Sequence, residues 1–450
     1  MSDGPRRPPK RRSRVPSGRV ERLARFGWMA GELAAGSLAE GARRALRGGA
    51  GEAASAILSG ANAKKLARRL SSMRGAAMKL GQLLSLETDD ILPAEFVEAL
   101  AVLRDAADTM PETQVRRVLG RAYGKGWEER FRRFDMDPIA SASIGQVHEA
   151  VAVDGRELAL KIQYPGVARS IESDVNNVAA LLRLSRLLPG GLDVSGIVAE
   201  AKRQLRQEAD YLTESENLRR YRELVADEPR LVVPRVHADL TTKRVLAMDR
   251  MRGLPIEDLA ARGTDQARRD EAGRMLEHLV LRELFEFHFM QTDPNFANYL
   301  VDPADDRILL LDFGSTRDFE PAFAARYADL CRAVIDGDRP AVHRAAAAIG
   351  YVGSDETEHR SEGLVDLILL VCEPFRNRGP YDFAHSNLAA RARDIGLDLM
   401  FRRGFLHPPP PETVFLHRKL VGSFLLCARI RARVDMRALL EPFLDSGVEP

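Results

Sequence analysis

Cysteine is scarce in this chain. Three occur in 450 residues, Cys331, Cys372 and Cys427, too far apart for any metal-ligand spacing. That argues against a disulfide-stapled scaffold and for a reducing compartment. No run of 18 or more apolar residues occurs, so no membrane-spanning helix is expected. The basic start is followed by no apolar stretch, so no secretory leader is expected either. Internal repeats are missing too. What remains is ordinary globular chemistry, 45% apolar and 29% charged, in a chain long enough for two cores.

Charge is unevenly placed. Residues 1–75 hold 17 Lys/Arg against 5 Asp/Glu, a net of +12, so the remainder, with 50 against 60, carries −10. A basic start of this kind suits an anionic surface or is simply a solvated tail. Residues 1–18 are rich in Pro, Arg and Lys and are expected to be disordered. Residues 64–84 read as a helix, with Leu66, Leu70, Met73, Ala77, Leu80 and Leu84 forming one apolar stripe. Lys79 and Gln82 fall opposite it. Gly27 and Gly31 have small-residue packing spacing, a weak signal outside an apolar 20-mer.

From Pro138 the pattern turns to strands. Gln146 to Val153 and Arg156 to Ile162 both alternate, and Asp154-Gly155 lies between them, which predicts a hairpin. Val232-Val233 and Val245 to Met248 read as further short strands, and residues 195–224 between them as helical. Beyond Gly253 the chain reads as mostly helical, interrupted by the apolar run Ile308 to Leu311. Pro408 to Pro411 form a rigid break before a last helical segment.

The chemistry concentrates in Gln291-Thr-Asp-Pro-Asn-Phe-Ala-Asn298, followed by Asp312-Phe-Gly314. Phosphoryl transfer from ATP needs an acid to orient the attacking hydroxyl and oxygen ligands to hold Mg²⁺ on the phosphates. Protein kinases place an Asp and an Asn five residues apart, then a metal-binding Asp after a short strand. Asp293, Asn298 and Asp312 follow that order. Alone, Asp-Phe-Gly is as good a turn as a metal site; the ordered set is the stronger signal. Lys161, flanked by Leu160 and Ile162 near the end of a predicted strand, stands where a kinase lysine meets the α- and β-phosphates. Its carboxylate partner can come from the helix bearing Glu208, Asp210 and Glu214.

One kinase element is missing. Ahead of the hairpin, where a glycine-rich phosphate loop belongs, stands Ala140-Ser-Ala-Ser-Ile-Gly145, with Gly145 its single glycine. Small residues still let backbone N–H groups approach phosphates, so Ala140, Ser141, Ala142 and Ser143 are nucleotide-binding candidates. Thr292 replaces the arginine that often precedes the catalytic aspartate, and no Ala-Pro-Glu follows Asp312. Both departures argue against a conventional protein kinase.

Together with Lys79-Leu-Gly-Gln82, Glu208-Ala-Asp210 and Phe415-Leu-His-Arg-Lys-Leu420, these segments resemble the UbiB-type atypical kinases over roughly residues 20–440. The Gln-Thr-Asp-Pro-Asn form is similar to the branch that includes the mitochondrial ubiquinone-biosynthesis kinase-like proteins. The resemblance implies an α+β, bilobal, kinase-like fold. Its expected parts are a tail (1–18), a helical extension over the active site (19–112), an N-lobe (113–250) and a helical C-lobe (251–450). It implies ATP and Mg²⁺ as ligands, with Asp293 positioning the nucleophile, Asn298 and Asp312 holding metal, and Met248 and Asp249 as gatekeeper and hinge. Lys79 and Gln82 are then regulatory, with Glu208 and Asp210 as their acidic counterpart. Glu214 is left to pair with Lys161, although exchange of Glu208 and Glu214 stays open.

The implied function is Mg-ATP hydrolysis, or phosphorylation of a small or lipid-like acceptor, in support of ubiquinone biosynthesis. The expected location is cytoplasmic, with peripheral contact at an anionic membrane face. Expected partners are quinone-precursor lipids and enzymes of that pathway, and no specific nucleic acid. A chaperone-like ATP switch and a conventional protein kinase are the rival readings.

Overall fold

A computed structural model describes residues 109–184, 195–352, 358–397 and 410–445. The tail and nearly all of the N-terminal extension, including Gly27, Gly31, Lys79 and Gln82, lie outside the described residues. The chain divides into two compact units, the first ending at residue 216 but including 235–250, the second comprising 217–234 and everything from 251 onward.

In the first unit, α1 (Glu112–Tyr123) leads into β1 (Phe131–Phe134), β2 (Ala140–Ser141), β3 (Gly145–Ala152) and β4 (Glu157–Gln163). Helices α2 (Val167–Leu184), α3 (Ser195–Glu208) and the start of α4 (Tyr211–Leu224) follow. With β6 (Val245–Asp249) the strands order as β1-β3-β4-β6, and β2 also pairs with β3. The expected hairpin is there: β3 and β4 are antiparallel with Val147 opposite Lys161, and Gly155 takes the positive φ (+94°) of the turn. Leu158, Leu160 and Ile162 of β4 are buried with Val115 and Leu119 of α1 and Trp127. Trp127, Phe131 and Phe134 pack edge to face, and this aromatic cluster compensates for a β1 that carries Arg132 and Arg133 on its exposed positions.

The stretch 195–224 is not one helix. It breaks at Ala209-Asp210, because the Asp210 carboxylate accepts from the Thr213 backbone N–H (3.2 Å) and hydroxyl (3.0 Å), capping α4. Gln163, ending β4, donates to Ala209 O (3.0 Å) and anchors the break.

The second unit is less purely helical than expected. Strands β5 (Leu231–Val232), β7 (Leu254–Pro255), β9 (Tyr299–Val301) and β10 (Ile308–Leu310) form a sheet ordered β5-β10-β9-β7. Two-stranded pairs join β8 (Phe289–Gln291) to β11 (Thr316–Asp318) and β12 (Tyr381–Asp382) to β13 (Arg433–Val434). Around them lie α5 (Gln266–Phe285), α6 (Pro321–Asp336), α7 (Arg339–Ile349), α8 (Glu358–Val371), α9 (Glu373–Arg376), α10 (Leu388–Leu397), α11 (Pro411–Ile430) and α12 (Met436–Asp445). The central α5 is N-capped by Asp265 and buries Met275, Leu276, Leu279, Val280 and Leu284; α11 packs along it. Among the described residues no helix is long and apolar enough to cross a membrane.

Candidate active site

Lys161 is carried on β4, on the sheet face opposite Leu160 and Ile162, and its side chain is 7% exposed. Its ammonium donates to both Glu214 oxygens, at 2.8 and 3.1 Å, and the Glu214 side chain is fully buried. The choice left open between two glutamates thus falls, in this structure, on the one in the first turn of α4. Burying a cation and an anion is costly unless each satisfies the other, and here they do. Glu208 is buried at the end of α3, apart from that ion pair in the chain by the Ala209-Asp210 break.

The loop before β3 is a tight β-turn. Ala140 pairs with Val147 and Ser141 with Gln146, and Ala142 N–H donates to Gly145 O (2.9 Å). Gly145 is required by crowding: a Cβ there would lie 2.4 Å from Ile162 O and 2.8 Å from Tyr211 Oη. Ala140 to Ser143 are exposed or half-buried, so the small residues lie at the rim of the sheet. At the end of β6, Met248 is buried, while the Asp249 carboxylate accepts from Arg235 N–H (3.0 Å) and faces His237 Nε2 (2.8 Å). The Asp249 side chain is thereby committed to its own unit, as is its backbone N–H, which donates to Arg235 O (2.9 Å), so any adenine contact from this residue falls to its carbonyl.

In the second unit, Asp293, Asn298 and Asp312 are brought together by backbone pairing. Asn298 immediately precedes β9 and Asp312 follows β10 by two residues. Leu310 pairs with Tyr299, and Leu311 N–H donates to Asn298 O (3.0 Å), so both residues sit at one end of this antiparallel pair. Gln291 completes the convergence: its Nε2 donates to Asp293 O (2.8 Å) and Asp312 O (3.3 Å). Asn295 caps the short turn Phe296–Asn298 by accepting from Ala297 N–H. The Asn298 amide nitrogen faces Asp293 O and Oδ2 at 3.4 and 3.5 Å, which directs its oxygen away from the loop. Gly314 N–H donates to Asp312 Oδ1 (2.9 Å), and Phe313 is buried with its ring 4.5 Å from that of Tyr221. Thr292 spends its N–H and hydroxyl on Ser315 O, so it offers no charge to a phosphorylated loop.

Asp312 and Asn298 fit Mg²⁺ by donor type, being hard oxygen ligands from a carboxylate and an amide. Among the described residues no group of three His, Cys, Asp or Glu side chains could hold a metal. A partial protein shell is what a Mg²⁺ shared with phosphates and water requires.

The set has a support in the segment Phe415 to Leu420, which motif reading marked without giving it a role. On α11, Lys419 forms a buried ion pair with Glu283 Oε2 (3.0 Å) and donates to Gln291 Oε1 (3.2 Å) and Tyr299 Oη (3.4 Å). Burial opposes its charge, but the Glu283 carboxylate prevails and the ammonium is pushed up to about 12. Glu283 in turn accepts from Tyr221 Oη and Gln291 N–H, both at 2.8 Å. One residue earlier, Arg418 Nη2 donates to Asp293 Oδ1 (3.1 Å). One turn later, Gly422 lies against Pro294 so closely that a Cβ would meet the proline Cβ at 2.0 Å. The sequence marked this segment through the resemblance at Phe415 to Leu420 without giving it a role, and the adjacent cations Arg418 and Lys419 among apolar residues were the physical signal, since buried cations need partners.

A β-sheet unit with a buried Lys–Glu pair, followed by a unit that gathers Asp, Asn and Asp at one loop, defines a kinase-like protein. Residues 102–346 match the ABC1 atypical kinase-like domain. The chain belongs to this UbiB-type atypical kinase family. It is 40% identical to "Atypical kinase COQ8B, mitochondrial" of Rattus norvegicus, over 96% of this chain and 81% of that protein. It is 37% identical to "Atypical kinase COQ8, mitochondrial" of Saccharomyces cerevisiae, over 95% of this chain and 85% of the yeast protein. Among solved structures, Rv3197 from Mycobacterium tuberculosis, in complex with erythromycin, aligns at a TM-score of 0.62 and 27% identity, over 88% of this chain and 99% of that one.

Proposed function

We propose that this protein binds Mg-ATP and hydrolyses it, or passes the γ-phosphoryl group to a small or lipid-like acceptor, in support of ubiquinone biosynthesis. The observation that carries this reading is the joint hold of Gln291 on Asp293 and Asp312, with Asn298 beside them. Asp293 orients the acceptor hydroxyl or water. Asn298 and Asp312 are the residues that would hold Mg²⁺, which supplies charge neutralisation on the phosphates. In the first unit, Lys161, fixed by Glu214, steadies the α- and β-phosphates. The small-residue loop Ala140–Ser143 offers backbone N–H groups to phosphate, and Met248 with the Asp249 backbone takes the adenine. Lys79, Gln82, Glu208 and Asp210 are assigned a regulatory role by family resemblance. The names of the relatives, atypical kinases of mitochondria, support the reaction class and the pathway.

The basic residues 1–75 are assigned to peripheral contact with anionic lipid, by attraction of Lys and Arg to the surface. ATP turnover measured on wild type and Asp312→Asn tests the metal assignment: the variant is expected to lose turnover, and full activity refutes the role. Repeating the assay with anionic liposomes, and with Lys79→Ala, tests the membrane and regulatory assignments; turnover indifferent to both removes them.

A further inference from the structure

Arg418 is an odd residue to bury. Its side chain is 11% exposed, and its buried Nε–H has no acceptor among the described residues. An unmet buried donor on a guanidinium costs more than one hydrogen bond returns. Among the described residues its hydrogen bond to a side chain is the 3.1 Å contact with Asp293 Oδ1. The other oxygen, Oδ2, is 3.5 Å from Asn298 Nδ2, at the limit of a hydrogen bond, and so is the one left for an incoming hydroxyl or water. The same helix fixes the loop on either side of this contact, through Lys419 on Gln291 and Gly422 on Pro294.

We propose that Arg418 is the positioning residue for Asp293, tying one carboxylate oxygen to α11 so that the other faces the phosphoryl acceptor. This rests on the assignment of Asp293 above, and it extends the active site to α11. No covalent step involves Arg418. Its effect is to hold the carboxylate rotamer, where a misplacement of about 1 Å costs on the order of 100-fold in rate.

The test is a double-mutant cycle on the full chain. Phosphate release from ATP is measured for wild type, Arg418→Gln, Asp293→Asn and the double variant. Mant-ATP affinity and melting temperature are recorded alongside, and Arg418→Lys serves as the charge-preserving variant should the glutamine variant not fold. Arg418→Gln is expected to lower kcat about 10- to 100-fold with nucleotide affinity unchanged, and Arg418→Lys to recover part of the loss. On the Asp293→Asn background the same change is expected to do nothing further, because Arg418 acts through the carboxylate. Equal fold-losses in both backgrounds, or an undiminished kcat in Arg418→Gln, overturn the proposal while leaving the Mg-ATP reading intact. Wild-type turnover that ignores Asp293→Asn overturns both.

Discussion

Gly422→Ala sets two physical effects of opposite sign against each other. In the middle of a helix, Ala is better than Gly by about 1 kcal/mol, so propensity alone makes the change stabilising. Against that stands Pro294. The new methyl carbon would lie 2.0 Å from the proline Cβ and 2.6 Å from its Cγ. Carbon pairs settle near 3.5 Å, so helix and loop must part by about 1.5 Å. Relief is scarce. The cavity bordered by Pro294, Gly422, Tyr299 and Leu426 is about 10 Å³, below or at the ~10–15 Å³ one water needs. The loop cannot simply swing out, since Gln291 holds Asp293 O and Lys419 holds Gln291. Overpacking of this kind costs ~1–3 kcal/mol, so against the propensity gain the net runs from about zero to a loss of about 2 kcal/mol. Displacement of the loop by about 1 Å lowers turnover roughly 100-fold. Urea unfolding and phosphate release measure the two quantities on one sample. A variant that is about 1 kcal/mol more stable and turns over ATP normally refutes the argument that α11 braces the catalytic loop.

Glu214→Gln takes the Glu214 counter-charge from the buried Lys161 ammonium and is expected to cost about 3 kcal/mol in urea unfolding. Lys161→Met combined with Glu214→Gln should regain stability but not turnover, and recovery of both removes Lys161 from the chemistry. Glu277, buried on α5 with Ser423 and Cys427, is pushed up by burial to about 7. The folded state therefore holds its proton from the unfolded value of 4.5 up to about 7, and stability falls as pH rises through that window. Glu277→Gln is expected to gain about 3 kcal/mol on wild type between pH 4 and 8; a pH-independent difference contradicts the assignment. His417, which contacts Tyr327 and Tyr351, is pushed down by burial to about 4 and has the opposite sign. Its contribution is complete above 6.5 and is lost as pH falls toward 4, so His417→Gln should flatten the acid side of the stability curve.

Local patterns were readable and distant ones were not. The Asp154-Gly155 hairpin was legible because the turn chemistry and the alternating sequence on either side of it agree, although only β3 alternates in burial and β4 is buried from Leu158 onward. β8, β9 and β11 were not, since three residues are too few to display a period. The helix break at Asp210 was missed although its signal was present: an aspartate three residues before a threonine is a cap, and the charge on both sides disguised it as a continuous solvated helix.

The same distinction runs through the site. Asp293 and Asn298 are five residues apart and Asp312 comes just after the apolar run Ile308 to Leu311, so their order could be read directly. Arg418 and Lys419 lie more than 120 residues from the loop they hold, and no spacing rule connects them. What connects them is the cost of burial. A helix that buries an arginine and a lysine side by side must lay them against acceptors, and α11 can reach Asp293 and Gln291 only because residue 422 has no side chain. The chemistry-bearing residues are thus specified by short-range order. Their precision is set by long-range packing, and Gly422 and Arg418 are where that packing reaches the reacting carboxylate.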